Sequence, residues 1–132
     1  MKLEALVGGR ATVVGPETTL GEAADILVSG ALGSLGVVDE GRLIGIVTER
    51  DIVRAIADGV ETEDAEVSSW MSDAPDTVAP DVEVEEAAAW LLEMGYRHLP
   101  VMRDGELLGI VSIRDILWAI LGGGVPPAEG DT

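Results

Sequence analysis

Two segments carry side chains whose types and spacing suit chemistry. Gly45-Ile-Val-Thr-Glu-Arg-Asp51 and Gly109-Ile-Val-Ser-Ile-Arg-Asp115 each run from an apolar stretch into a hydroxyl residue, with an aspartate three positions later. A hydroxyl and a carboxylate at that spacing satisfy free N–H groups at a helix start, a capping box. The same atoms suit a nucleotide. A helix N-terminus offers N–H groups and a positive dipole end to phosphate, and an ionised Asp accepts hydrogen bonds from two vicinal ribose hydroxyls. Thr48 with Asp51, and Ser112 with Asp115, are therefore candidates for either role, with Arg50 and Arg114 adding positive charge beside them. Sequence logic leaves cap and ligand site both open. A second basic feature is Arg97-His98, entering an apolar stretch through Leu99 and Pro100; a merely exposed polar pair is the alternative.

These few cations matter because the chain is acidic. Eight Lys and Arg against 25 Asp and Glu leave a net charge of −17 over 132 residues. Such a field repels nucleic acid and anionic membranes, so an anionic ligand needs a local cluster of Arg, His or N–H groups. The apolar run Ile116 to Leu121 is too short to span a bilayer, and no basic-then-apolar leader is visible, so a cytoplasmic location is expected. With no Cys, disulfides and thiolate metal sites are excluded. No nucleophile is paired with a base, one His stands without a ligand cluster, and no P-loop occurs, which disfavours an enzyme. The acidic run Glu61-Thr-Glu-Asp-Ala-Glu66 reads as a solvated linker rather than a metal site.

The elements that must position these residues come as a repeat. Gly41 to Ile56 matches Gly105 to Ile120 at ten of sixteen positions, an offset of 64 residues. The same offset, without a gap, aligns Pro16 with Pro80, Glu22 with Glu86 and Val37 with Val101. In each copy a short β-prone segment (Thr12 to Val14; Thr77-Val78) precedes an amphipathic helix marked by Leu20, Ala23, Ala24 and Leu27, or by Val84, Ala87, Ala88 and Leu91. Thr19 with Glu22 predicts a capping box for the first of these helices. Two strands joined by a Gly-containing turn follow, Leu35 to Val38 with Arg42 to Val47 and Leu99 to Met102 with Glu106 to Val111, and then a second helix. Each copy is β-α-β-β-α, an α/β (α+β) class in which two copies are expected to pair with pseudo-two-fold symmetry. The last helix, through Ile113, Ile116, Leu117 and Trp118, is apolar almost all round and predicts burial on more than one side, with a homodimer preferred over packing on the first copy.

The doubled Gly-x-Leu-x-Gly-Ile-Val-Thr/Ser-x-Arg-Asp pattern, with Trp70-Met-Ser72, Thr77-Val-x-Pro80 and Arg97-His-Leu-Pro-Val101, resembles the cystathionine β-synthase (CBS) domain pair, or Bateman module. The resemblance covers about residues 1–121, with motifs over 10–59 and 74–121; outside the motifs lie a lead-in over 1–9, a connector over 60–73 and a tail over 122–132 whose Gly-Gly-Gly and Pro-Pro predict disorder. It implies two clefts between the motifs for adenosine-containing ligands: AMP, ADP, ATP or S-adenosylmethionine. By position, Thr48, Asp51, Ser112 and Asp115 would hold ribose and phosphate. Thr77, Val78 and the strand entrance His98, Leu99 and Pro100 would line adenine and ribose, and Arg97 and His98 would meet phosphate. No cofactor is required by this pattern. The first copy departs from it, with Val13 for Thr77, Gly33-Ser34 for Arg97-His98 and Gly36 for Pro100, which predicts unequal clefts. The resemblance further implies a flat dimer through helices, with Trp90, Ile113, Leu117 and Trp118 as candidates, and a regulatory output on a separate, unknown effector protein. A dimerisation scaffold whose boxes are only caps is the alternative.

Overall fold

A computed structural model describes residues 1–7 and 11–123. The described residues divide into two compact units, one formed by 12–75 and the other by 1–7, 11 and 76–123. The calls on residues 8–10 and 124–132, including most of the expected tail, lie outside the described residues.

In the first unit, β1 (Val13–Val14) leads to α1 (Leu20–Gly30), then β2 (Ser34–Asp39), β3 (Arg42–Thr48), α2 (Glu49–Ala57) and, after the connector, β4 (Ser72–Asp73). The sheet order is β1-β2-β3-β4, with β1 parallel to β2 and the remaining pairs antiparallel. The second unit repeats this with α3 (Val84–Met94), β5 (His98–Arg103), β6 (Glu106–Ser112) and α4 (Ile113–Trp118). A single parallel bridge of Val78 to Val101 stands where β1 stands in the first unit. The first unit therefore carries the β-α-β-β-α order that the periodicities predict, while the second carries its α-β-β-α part on a two-stranded sheet, with the expected strand at Thr77-Val78 reduced to that one bridge.

Local chemistry explains the elements. Both hairpins turn on two residues with positive φ, Glu40-Gly41 (50° and 78°) and Asp104-Gly105 (50° and 82°), the backbone that a tight two-residue hairpin requires. Both break register at the same place, between Val37 and Val38 and between Val101 and Met102. The capping box expected at α1 is complete, with the Glu22 N–H donating to Thr19 Oγ1 (3.1 Å) and the Thr19 N–H to Glu22 Oε1 (3.2 Å). Leu20, Ala23 and Leu27 of α1, and Val84, Ala87 and Leu91 of α3, are the buried faces. They pack on Leu35, Val37 and Val47 in one unit and on Leu99, Val101 and Val111 in the other, aliphatic cores in a chain without Phe.

The lead-in and the connector, which the sequence places outside the repeats, each supply core. A 3-10 turn over Leu3–Ala5 buries Leu3 in the second unit, and one over Val67–Ser69 buries Val67 in the first. Their bonding is equivalent at the 64-residue offset. The Leu3 N–H donates to Val82 O (2.9 Å) and Glu4 to Pro80 (2.9 Å), while Val67 donates to Thr18 (2.8 Å) and Ser68 to Pro16 (3.2 Å). These segments also explain the shared glycines. A Cβ on Gly45 would sit 2.9 Å from Met71 Cγ and Ser72 O, and one on Gly109 would sit 2.7 Å from Val7 Cγ1.

The last helix is shorter than the apolar run suggests. α4 ends at Trp118, and Ala119–Gly123 forms a wider π-type turn that stops where Gly122 takes a φ of 84°. The Trp118 indole N–H closes it on Gly123 O at 2.8 Å. Leu117, Trp118, Ile120 and Leu121 remain exposed. Among the described residues no helix is long and apolar enough to cross a membrane.

Candidate functional site

Each box sits where a strand hands over to a helix. Thr48 caps α2, its Oγ1 accepting from the Asp51 N–H (3.3 Å) while the Thr48 N–H donates to Asp51 Oδ2 (2.8 Å). Ser112 caps α4 in the same way, with Asp115 N–H to Ser112 Oγ at 3.1 Å and Ser112 N–H to Asp115 Oδ2 at 3.0 Å. Both boxes are thus complete as caps. Capping uses one carboxylate oxygen of each aspartate, so it does not exhaust the group's capacity to accept.

The second oxygen separates the two copies. Oδ1 of the buried Asp51 faces Arg54 Nη1 at 3.6 Å, one turn along α2. Trp118 stands at the equivalent place in α4, and among the described residues Oδ1 of the half-buried Asp115 has no partner. Arg54 was not among the residues singled out from sequence; its three-residue spacing from Asp51 was the available signal.

In the second unit the other candidates gather around Ser112. His98, half-buried, lies directly across from Ser112 in the β5–β6 pair, and the Arg97 carbonyl accepts from the Ile113 N–H (2.9 Å) at the start of α4. Val78 runs beside the same strand, its N–H donating to Pro100 O (3.0 Å) and its carbonyl accepting from Met102 (2.9 Å). Thr77, just before it, is exposed. Leu99 is fully buried in the core and Pro100 is buried, so at Leu99 only the backbone is left to face a ligand. Arg50, Arg97 and Arg114 are exposed, and among the described residues none of the three forms an ion pair. In the first unit the place of His98 is taken by Ser34, across from Thr48, and that of Arg97 by Gly33, whose carbonyl accepts from Glu49 (3.3 Å). The frame is the same and the cations are missing.

Sequence reasoning also passed over Tyr96 and Asp76. The Tyr96 phenol donates to Asp76 Oδ2, and its ring meets Trp90 edge-on with centroids 6.3 Å apart. The hydrogen bond to Asp76, which holds the proton on the phenol, raises the Tyr96 pKa above its ordinary value.

The CBS domain model matches residues 9–58 and again 66–122. The chain belongs to the CBS domain family. As a CBS protein it is 40% identical, over 91% of its own length and 73% of the relative's, to an uncharacterized 17.7 kDa protein of Acidianus ambivalens. Three further curated relatives are longer, and the chain spans 54%, 34% and 20% of them. Among solved structures it is similar to a CBS domain protein from Pyrobaculum aerophilum complexed with AMP. That likeness has a TM-score of 0.79 and 27% identity, covering 86% of this chain and 88% of that one. It is also similar to a CBS domain pair solved with 5′-methylthioadenosine and S-adenosyl-L-methionine, at a TM-score of 0.81 and 25% identity, covering 93% and 97% of the two chains.

Proposed function

We propose that this CBS pair is a non-catalytic regulatory module that senses an adenosine-containing ligand and relays its occupancy to a separate effector protein through a homodimer. The likeness over most of the chain to a CBS protein complexed with AMP carries the proposal. Within this chain it is supported by the Asp115 oxygen that no described residue engages, oriented by the Ser112 cap, and by Arg97 and His98 entering the neighbouring strand. Ser112 and Asp115 would take ribose and phosphate, Arg97, His98 and Arg114 would meet phosphate, and Thr77, Val78 and the Leu99-Pro100 backbone would line the adenosine. Thr48, Arg50 and Asp51 form the corresponding, poorer set. A net charge of −17 opposes a triphosphate more than AMP or S-adenosylmethionine.

The test is calorimetry with AMP, ADP, ATP and S-adenosylmethionine on the wild type and on Asp115→Ala. Sensing predicts saturable binding, strongest for AMP or S-adenosylmethionine, that Asp115→Ala abolishes. A second function, a dimerisation scaffold, is favoured by the completeness of both caps. It predicts no binding to any of the four, and only the loss of about 0.5–2 kcal/mol of stability that a missing cap costs.

A further inference from the structure

We propose that Tyr96 is a positioning residue for the ligand, its phenol taking over a strand-to-strand hydrogen bond that Pro100 deletes. This rests on the nucleotide-sensing function above and deepens it. In the first unit the segment entering β1 is held by backbone, the Gly36 N–H donating to Thr12 O at 3.2 Å. Sixty-four residues on, these positions are Pro100 and Asp76. Proline has no N–H, so that bond cannot form. Among the described residues no backbone hydrogen bond holds Asp76 or Thr77, and the nearest one is at Val78.

The Tyr96 phenol fills the gap by donating to the Asp76 carboxylate. Its own position is fixed twice, by its N–H on Leu91 O (3.1 Å) and by the Trp90 ring, 6.3 Å away at 80°. Leu32 occupies the equivalent place in the first unit, where the backbone bond exists and no phenol is needed. Proline and tyrosine are thus a compensating pair. Pro100 gives the strand entrance a rigid backbone without an N–H, and Tyr96 re-ties Thr77 to the strand bearing Arg97 and His98. A segment held in its bound geometry beforehand loses less entropy when ligand arrives.

The experiment compares AMP binding by calorimetry in the wild type, Tyr96→Phe, Asp76→Ala and the double variant, with melting temperatures alongside. Phenylalanine keeps the ring against Trp90 and removes only the hydroxyl. Each single variant is expected to weaken AMP about tenfold through lost preorganisation, with little change in melting temperature. The double variant should weaken it no further, because both changes remove one bond. Wild-type affinity in Tyr96→Phe, or two losses that simply add, would overturn the proposal while leaving nucleotide sensing intact. A wild type that binds none of the four ligands overturns sensing itself, and the ligand role of Tyr96 with it. The contact is also read without ligand. Tyr96 is the one tyrosine of the chain, so its absorbance titration should shift down in Asp76→Ala, and coincident curves would refute the bond.

Discussion

Asp51 and Asp115 hold equivalent places, cap equivalent helices and still differ in what they can accept. Arg54 lies 3.6 Å from the oxygen of Asp51 that the cap leaves over, while among the described residues the corresponding oxygen of Asp115 meets no partner. Asp51 is buried but its partner Arg54 is 58% exposed and screened by solvent, so Arg54 matters more as a competitor for a ligand hydroxyl than as a brace. Arg54→Ala should therefore leave thermal stability nearly unchanged and raise the AMP stoichiometry in calorimetry toward a second equivalent. An unchanged stoichiometry would show that the missing cations at Gly33 and Ser34, rather than Arg54, silence that box.

Elements explain why the repeat carries glycines at Gly45 and Gly109. A strand crossed closely by a lead-in or connector residue has no room for a Cβ, and overfilling a packed site costs about 1–3 kcal/mol. Gly109→Ala should lower the melting temperature accordingly, because its Cβ meets Val7 Cγ1 at 2.7 Å. Shrinking the neighbour, Val7→Ala, should return part of that loss in the double variant. Thermal denaturation of the four proteins decides it, and additive losses would mean that Val7 is not the obstacle. The bonds of Leu3 and Glu4 to Val82 and Pro80 make the same point, since the lead-in completes a core whose other parts lie some eighty residues later.

For the whole molecule, every helix exposes apolar residues, Val28 on α1, Val53 and Ile56 on α2 and Leu92 and Met94 on α3, and α4 with the turn after it adds Leu117 at 51% and Leu121 at 83%. Trp118 is also exposed, though its N–H is committed to Gly123, and Trp90 is engaged with Tyr96. Leu117→Asp is accordingly the cleaner probe of the proposed homodimer. Sedimentation should give a dimer for the wild type at micromolar concentration and a monomer for Leu117→Asp with unchanged circular dichroism. The net charge of −17 on each chain opposes self-association, so added salt should strengthen the wild-type dimer. A wild-type monomer at high concentration would end the proposal.

What the sequence determined is whatever depends on neighbours along the chain. The α1, α2 and α4 capping boxes, the amphipathic faces of α1 and α3, the Gly-containing hairpins and the doubled α-β-β-α order all follow from spacings of a few residues, and all are found. The 64-residue offset also held a signal that was passed over, since it relates Leu3 to Val67 and Val7 to Met71, but a segment of nine residues is too short to show a period. The tertiary structure alone decided which distant groups meet. It set Tyr96 on Asp76 where Pro100 removes an N–H, His98 across from Ser112, and the lead-in against a core built from the second repeat. Periodicity reports which face of an element is apolar, and only packing decides what that face is pressed against.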